Sequence, residues 1–309
     1  MINIRPLKKL LLSLTLVAAT YTLATGQNDP MINHFMYHEH VYNPANAGNT
    51  KTINVGLLAR QQWIGFKGAP STQLLNAYGY IPKIKGGVGL VLVNDMLGKE
   101  RSVTARLSYA YRQRVGDDMY LSGGLSLGIL NRAVRGNELI FQDGGDQSAL
   151  NAMENNIKPD VGLGLEFSGR GVVIGASITH LDQSLKKATV FRVPRHYFGY
   201  AKYNWNVNEK VMLQPAVFVR SSVFITQADV ALNATFNKRV TVGTFYRTTD
   251  DVGALLGVHF GKFFLSYSYD FDFGELSSNQ SGSHELTLIG RFGGIKQKNT
   301  FLKSPRYLN

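Results

Sequence analysis

From Lys51 onward, hydrophobic and polar positions alternate with a period of two. In VTARLSYAYRQR, Val103, Ala105, Leu107, Tyr109 and Tyr111 share one face, and Thr104, Arg106, Ser108, Ala110 and Arg112 share the other. In ADVALNATF, Ala228, Val230, Leu232, Ala234 and Phe236 oppose Asp229, Ala231, Asn233 and Thr235. In FFLSYSYD, Phe263, Leu265, Tyr267 and Tyr269 oppose Phe264, Ser266, Ser268 and Asp270. Successive side chains of a strand point to opposite faces, so these segments predict strands with one apolar and one polar face. Such segments fall near 51–63, 71–82, 87–95, 101–113, 119–131, 160–168, 171–180, 195–207, 210–220, 227–236, 239–248, 252–260, 263–270 and 284–293, fourteen in all.

The connections between them divide by parity. The odd-numbered ones include the long stretches 132–159, 181–194 and 271–283, whereas the even-numbered ones have two to five residues. Long loops therefore gather at one end of the sheet and tight turns at the other, as in outer-membrane barrels with long extracellular loops and short periplasmic turns. A soluble sandwich has no reason to sort its loops in this way. The predicted fold is all-β: a transmembrane outer-membrane β-barrel of about 14 antiparallel strands, residues 51–293. Closure is required because an open edge in lipid would leave backbone N–H and C=O groups unpaired.

Composition agrees with this reading. Glycine (32 residues), Tyr (15) and Phe (17) are frequent, and charged residues make up 17% of the chain. Cysteine is absent, which removes disulfides, thiolate metal sites and Cys nucleophiles together. Residues 1–26 read as a signal peptide: Arg5, Lys8 and Lys9 precede the apolar run from Leu10 to Ala24, and Ala24 and Gly26 are small residues before a cut ahead of Gln27. Removing that segment, which holds no Asp or Glu, lowers the formal net charge from +12 to +9. No Lys/Arg run accompanies the remaining charge, and export argues against nucleic acid as a partner. After the signal, no stretch reaches the ~18 apolar residues that a membrane helix needs.

Two segments lie outside the barrel. Residues 27–50 form a periplasmic or lumenal N-terminal segment, and residues 294–309, GIKQKNTFLKSPRYLN, form a basic periplasmic tail. Phe292 supplies the aromatic at the end of the final strand. A 14-stranded barrel is too wide for side chains alone to fill, so residues 27–50 are expected to fold into or beneath the lumen.

No catalytic constellation emerges. GLSLG, Gly124 to Gly128, matches G-x-S-x-G, but Ser126 sits in an alternating strand with no following helix, so it reads as lumen-facing. GRGVVIG, Gly169 to Gly175, lacks the strand–helix context of a dinucleotide fingerprint and reads as a two-residue turn. HFMYHEH offers His34, His38 and His40, but histidines in an unpaired polar segment are more often simply exposed than metal ligands. DFDFGE, Asp270 to Glu275, departs from EF-hand spacing and has no flanking helices. Neither an enzyme activity nor a cofactor or metal is therefore expected.

Three further motifs occur in order: NPANAG (Asn43 to Gly48), RQQWIGFKGAPSTQ (Arg60 to Gln73) and YSYDFDFGELSSNQSGSHELTL (Tyr267 to Leu288). They resemble the signature segments of the PorP/SprF family of the type IX secretion system in Bacteroidota, a resemblance running from about residue 30 to the end. It marks Asn43, Pro44, Ala45, Gly48, Arg60, Gln62, Trp63, Gly65, Gly68, Pro70, Asp270, His284 and Glu285 as candidate motif or partner-binding residues. The resemblance implies an outer-membrane barrel serving secretion or surface attachment of cargo with C-terminal sorting domains, gliding adhesins among them. The partners it implies are outer-membrane lipid, a peptidoglycan-binding lipoprotein, periplasmic ring proteins and the cargo. The Gly-rich strands between the motifs are uninformative alone.

The residues themselves leave a rival open, a general porin or small-molecule transporter. Arg106, Arg112, Arg220, Arg247 and Arg291 all fall on the lumenal face and would attract anions. Trp63 is expected to end the first strand in the aromatic girdle, with Gly65, Gly68 and Pro70 shaping the first extracellular turn.

Overall fold

The computed structural model describes residues 29–50, 52–134, 156–184, 193–222, 225–249, 251–273 and 280–294. The strands are β1 (Thr52–Gln61), β2 (Ser71–Ile81), β3 (Gly86–Leu97), β4 (Glu100–Gly116), β5 (Met119–Val134), β6 (Asn156–Gly169) and β7 (Val172–Thr179). They continue as β8 (His196–Tyr203), β9 (Val211–Ser221), β10 (Thr226–Phe236), β11 (Val240–Arg247), β12 (Asp251–Phe260), β13 (Phe263–Asp272) and β14 (Ser283–Gly294). A two-residue piece, Trp205–Asn206, extends β8 past Asn204 against β9. Every strand pairs antiparallel with its sequence neighbours, and β1 pairs with β14 from Ile53 opposite Phe292 to Gln61 opposite His284. The sheet is thus a closed barrel of fourteen strands, with no open edge to satisfy in lipid.

The alternation sorts as its period requires. Leu107, Tyr109 and Tyr111 of β4 are exposed outward, while Arg106 and Ala110 are buried inward. Val230 and Leu232 face out and Asp229, Ala231 and Asn233 face in. The exposed hydrophobic belt is the surface a bilayer covers.

The turns at one end are tight. Arg170 and Gly171 both take positive φ between β6 and β7, the backbone of a two-residue hairpin turn. At the other end lie the connections whose middles, 135–155, 185–192 and 274–279, fall outside the described residues. The odd and even ends differ less than the spacing predicts at one place. β3 and β4 extend further than expected, so their connection shrinks to Gly98 and the neighbouring Lys99. The signal segment and the basic tail beyond Gly294 also lie outside the described residues.

Residues 29–50 occupy the lumen. Short turns follow one another: a 3-10 turn at Phe35–Tyr37, a helical turn α1 at Glu39–Tyr42, and a 3-10 turn at Pro44–Gly48. The last is well specified locally. Asn43 caps it by accepting the Ala45 N–H at 2.9 Å, and Pro44 fills its first position, where no backbone donor is needed. The segment begins beside the loop end of β7 and β8 and finishes beside Gly87, near the tight-turn end of β3. It therefore threads the barrel lengthwise before the chain enters β1.

The principal apolar core lies inside the barrel, around this segment. Ile32, Phe35, Met36, Val41 and Tyr42 pack on Leu58, Leu74, Val91, Phe198, Phe218 and Phe245 of the wall. Phe35 stacks on Phe218 with centroids 5.2 Å apart, and Tyr42 lies 5.1 Å from Phe198 and 4.7 Å from Phe218.

Candidate functional site

Wall glycines make room for the segment. A Cβ on Gly87 would stand 1.9 Å from the Ala47 carbonyl oxygen, and one on Gly124 would stand 2.3 Å from the Ala45 nitrogen. On Gly164 it would meet Asn43 Oδ1 at 1.9 Å. Real Cβ contacts do not come this close, so glycine at these places lets two backbones approach. The Gly-rich strands, uninformative as sequence, are a mould for Asn43, Pro44, Ala45 and Gly48. Asn43 also donates to the Leu165 carbonyl at 2.9 Å and the Tyr200 hydroxyl at 3.1 Å. Next to it, Asn46 donates to Glu166 at 2.9 Å, and Tyr200 bonds the same carboxylate.

Nearer the loop end, a buried polar clamp holds the segment. Glu285 accepts the Asn33 N–H (2.9 and 3.0 Å) and the His34 N–H (2.9 Å), and its Oε1 lies 2.6 Å from His34 Nδ1. Arg60 reaches Asp270 at 2.6 Å and Glu285 at 3.2 Å. Arg247 pairs with Asp229 at 3.0 Å and donates to Asn33 Oδ1 at 3.3 Å, while the Asn33 amide donates to Asp270. Two arginines thus face three carboxylates around two backbone N–H groups, and each charged group has an ion-pair and hydrogen-bond partner, the condition for burying it.

The histidines of HFMYHEH are buried, which reverses the expectation that they are exposed. Each takes a separate partner: His34 takes Glu285, His38 lies 3.1 Å from Asn76 and 2.7 Å from Thr287, and His40 lies 2.7 Å from Ser108. Burial, with the nearby charge of His34, pushes the His38 imidazole down to about 4. Burial beside Arg106 pushes His40 down to about 3. Both are neutral hydrogen-bonding groups at physiological pH.

The remaining marked residues divide in two. Gln62 is buried, and its N–H donates to the Pro70 carbonyl at 3.0 Å, closing the first loop. Trp63 does not end β1, which stops at Gln61. It takes φ 48° in the turn, where its N–H reaches Ser283 Oγ at 3.2 Å. Gly65 and Gly68 have φ 93° and 81°, conformations that favour glycine. The loop is tied to the last hairpin by Ile64 N–H to the Gly282 carbonyl and Ser281 N–H to the Ile64 carbonyl. His284 lies apart from the clamp, on the outer face beside Tyr267 and Tyr269. Asp270 is committed to the clamp rather than to a calcium loop, and Gly274 and Glu275 lie outside the described residues.

Where the segment begins, Asp29 lies between two histidines that the sequence did not single out. His180 Nε2 is 3.1 Å from Asp29 Oδ1, and His196 Nδ1 is 4.0 Å from Asp29 Oδ2. Asp160 backs His180, with Oδ1 3.0 Å from Nδ1, and Arg106 stands 3.7 Å from Asp160. Burial opposes the charge on His180, but Asp29 and Asp160 outweigh it and push the imidazole up to about 9. Burial opposes ionisation of Asp29 too, yet His180 and His196 hold its carboxyl far below the usual range. Asp29 lies more than a hundred positions from both histidines, and no spacing rule connects them.

Within the lumen, cavities lie on either side of the segment. A cavity of about 90 Å³ above the segment is lined by Asp95, Glu100, Arg132 and His196, and one of about 600 Å³ below it by Glu39, Glu209, Lys202, Lys210, Lys238 and Arg291. Of the arginines expected to line an anion path, Arg106 donates to the Val41 carbonyl at 2.9 Å and Arg220 to the Asp29 carbonyl at 3.1 Å. Arg112 stacks 3.7 Å over the Tyr120 ring. Three of the five, counting Arg247, hold the segment in place.

The family profile described as type IX secretion system membrane protein PorP/SprF matches residues 24–289. No match was found among curated proteins. Among solved structures, the outer membrane protein Omp33 of Acinetobacter baumannii has a TM-score of 0.49 at 8% identity, covering 78% of this chain and 98% of its own. A deltaS2S3 mutant of the TodX monoaromatic hydrocarbon channel has 0.46 at 9% identity, covering 84% and 94%. The KdgM porin has 0.36 at 10%, covering 78% and 99%.

Proposed function

Since the chain belongs to the PorP/SprF family of type IX secretion system membrane proteins, we propose that this outer-membrane barrel is a plugged docking platform rather than a solute channel. On this reading it supports secretion or surface attachment of cargo with C-terminal sorting domains, adhesins being one class. The observation that carries the proposal is the lumenal segment itself. Backbone N–H groups of Asn33 and His34 are clamped by Glu285, and the Ala45–Ala47 backbone is pressed into wall glycines. A segment held by buried charges and close backbone packing costs too much to move for every passing solute.

Exchange with the periphery then falls to the two ends. The loop end offers extracellular connections longer than a hairpin needs, which suits holding cargo. The lower cavity, where Lys202, Lys210, Lys238 and Arg291 outnumber Glu39 and Glu209, lies toward the periplasmic side, where other secretion components stand. Replacing residues 135–155, between β5 and β6, with a tight turn should leave the barrel in the outer membrane and abolish retention of cargo at the cell surface. Full retention with the shortened loop would refute the docking role. The porin reading is tested by liposome swelling with small anions, where rapid flux through the intact protein would favour it.

A further inference from the structure

We propose that Asp29, His180 and His196 bind a divalent transition-metal ion, Zn²⁺ being the best fit, with Asp160 as the carboxylate that orients His180. The three residues each present a ligand atom, all within 4.8 Å of one another. Tetrahedral zinc with bonds of ~2.0–2.1 Å sets its ligand atoms ~3.4 Å apart. The observed 3.1 Å from His180 Nε2 to Asp29 Oδ1 and 4.0 Å from His196 Nδ1 to Asp29 Oδ2 bracket that spacing. They run to the two different oxygens of Asp29, and with one ligand atom from each residue the atoms lie within 4.8 Å of one another, so the three side chains must rotate inward to reach the metal spacing.

Two further observations point to a ligand. His196 Nδ1, on a residue almost wholly buried, has no hydrogen-bond partner. Second, Asp160 Oδ1 stands 3.0 Å from His180 Nδ1, the ring nitrogen opposite the one that faces Asp29. A metal-bound histidine almost always offers its other ring N–H to a carboxylate, which fixes the tautomer and makes the ligating nitrogen more basic. The pair with Asp160 thus already holds His180 in the orientation that leaves Nε2 free to ligate. On His196, binding at Nδ1 puts the proton on Nε2, so the 3.4 Å approach of the Asp29 N–H to Nε2 must lengthen.

The donor set selects the ion. Two imidazoles with one carboxylate suit zinc and its neighbours, whereas calcium and magnesium favour all-oxygen shells. Around the site the carboxylates of Asp29 and Asp160 are matched by the guanidiniums of Arg106 and Arg220, so the dication is held by its ligands rather than by a surplus of negative charge. The ligands come from the start of the lumenal segment (Asp29), the residue after β7 (His180) and the start of β8 (His196). The ion would therefore staple the outer end of the segment to the wall, through residues other than those of the Glu285 clamp and independent of the secretion role.

The test uses the full-length protein, purified in detergent, stripped with chelator and reloaded. With Zn²⁺, elemental analysis after gel filtration should give about one ion per chain. With Co²⁺, the visible spectrum should show the intense bands of tetrahedral coordination. Asp29→Asn and His196→Ala should each abolish stoichiometric loading, while Asp160→Asn should keep the site with affinity roughly 10- to 100-fold weaker. His284→Ala, on the outer face, should load as the parent does. Each variant is checked for a folded barrel by its heat-dependent migration in SDS gels. Asp29→Asn changes only the lumenal segment, so it remains informative if a wall variant fails to assemble. Less than a tenth of an ion per chain in the parent protein, or equal loading in Asp29→Asn, overturns the proposal.

Discussion

Arg60 and Glu285 face each other as direct register partners across the seam where β1 meets β14, with Nη1 3.2 Å from Oε2. The pair closes the barrel, and Glu285 on the same pair receives the backbone of the lumenal segment through Asn33 and His34. Wall closure and segment docking therefore depend on one carboxylate. Two of the sequence motifs, distant along the chain, meet there.

Removing one side of this clamp should be costly. Arg60→Ala leaves Asp270 and Glu285 without their shared cation, and breaking a buried pair in this way costs ~3–5 kcal/mol. Glu285→Gln keeps an acceptor for the two N–H groups but loses the charge that balances Arg60. Thermal unfolding in detergent should therefore rank the parent above Glu285→Gln, and Glu285→Gln above Arg60→Ala. Identical midpoints for Arg60→Ala and the parent would show that the clamp does not hold the barrel.

The glycine mould gives a separate test with an internal control. Gly87→Ala and Gly124→Ala each drive a methyl into the backbone of the segment, with no flexible side chain there to yield. The segment must shift or leave, so a protease site engineered near residue 47 should become cleavable in the folded barrel. Gly199→Ala, whose added Cβ meets nothing within 4 Å, should stay protected. Equal protection in all three would mean that the fit is looser than the contacts require.

The barrel was legible in the sequence because its outward face must be apolar and its strands must alternate, as β4, β10 and β13 do. The lumen was less so. In β9 the inward Ala216 and Phe218 are as apolar as the outward Val217 and Val219, because the inner face packs on Phe35 and Tyr42 rather than on water. The motif residues Arg60, Asp270 and Glu285 stood out individually, but their meeting depends on closure of the sheet and on Asn33 and His34, which carry no local signature. The Asp29, His180 and His196 cluster was invisible for the same reason: three elements bring it together, and no period or spacing along the chain does.

Conductance should report on the segment as a whole. Deleting residues 29–50 removes the residues that separate the upper and lower cavities, so single-channel recordings should show a steady, larger conductance than the intact protein. The freed Arg106, Arg220 and Arg247 would then line the path and favour anions. Unchanged conductance in a correctly assembled deletion would mean that something other than this segment blocks the barrel.

Acid should loosen the segment through His38 and His40. When docked, His38 faces Asn76, Thr287, His34 and Glu285, and His40 faces Ser108 and Arg106; their imidazoles titrate near 4 and 3. When released into water each returns to about 6.5, so between these values the released form binds more protons than the docked one. Docking is then fully favoured above about pH 6.5, weakens as the pH falls, and stops weakening below the docked values. At pH 5 the loss is about 2 kcal/mol for each histidine. Protease access to the segment should rise between pH 7 and pH 5 in the parent. The rise should be smaller in His38→Gln, which keeps hydrogen-bonding groups near Asn76 and Thr287 but cannot take up a proton. A pH response identical in the two proteins would assign the effect to other groups.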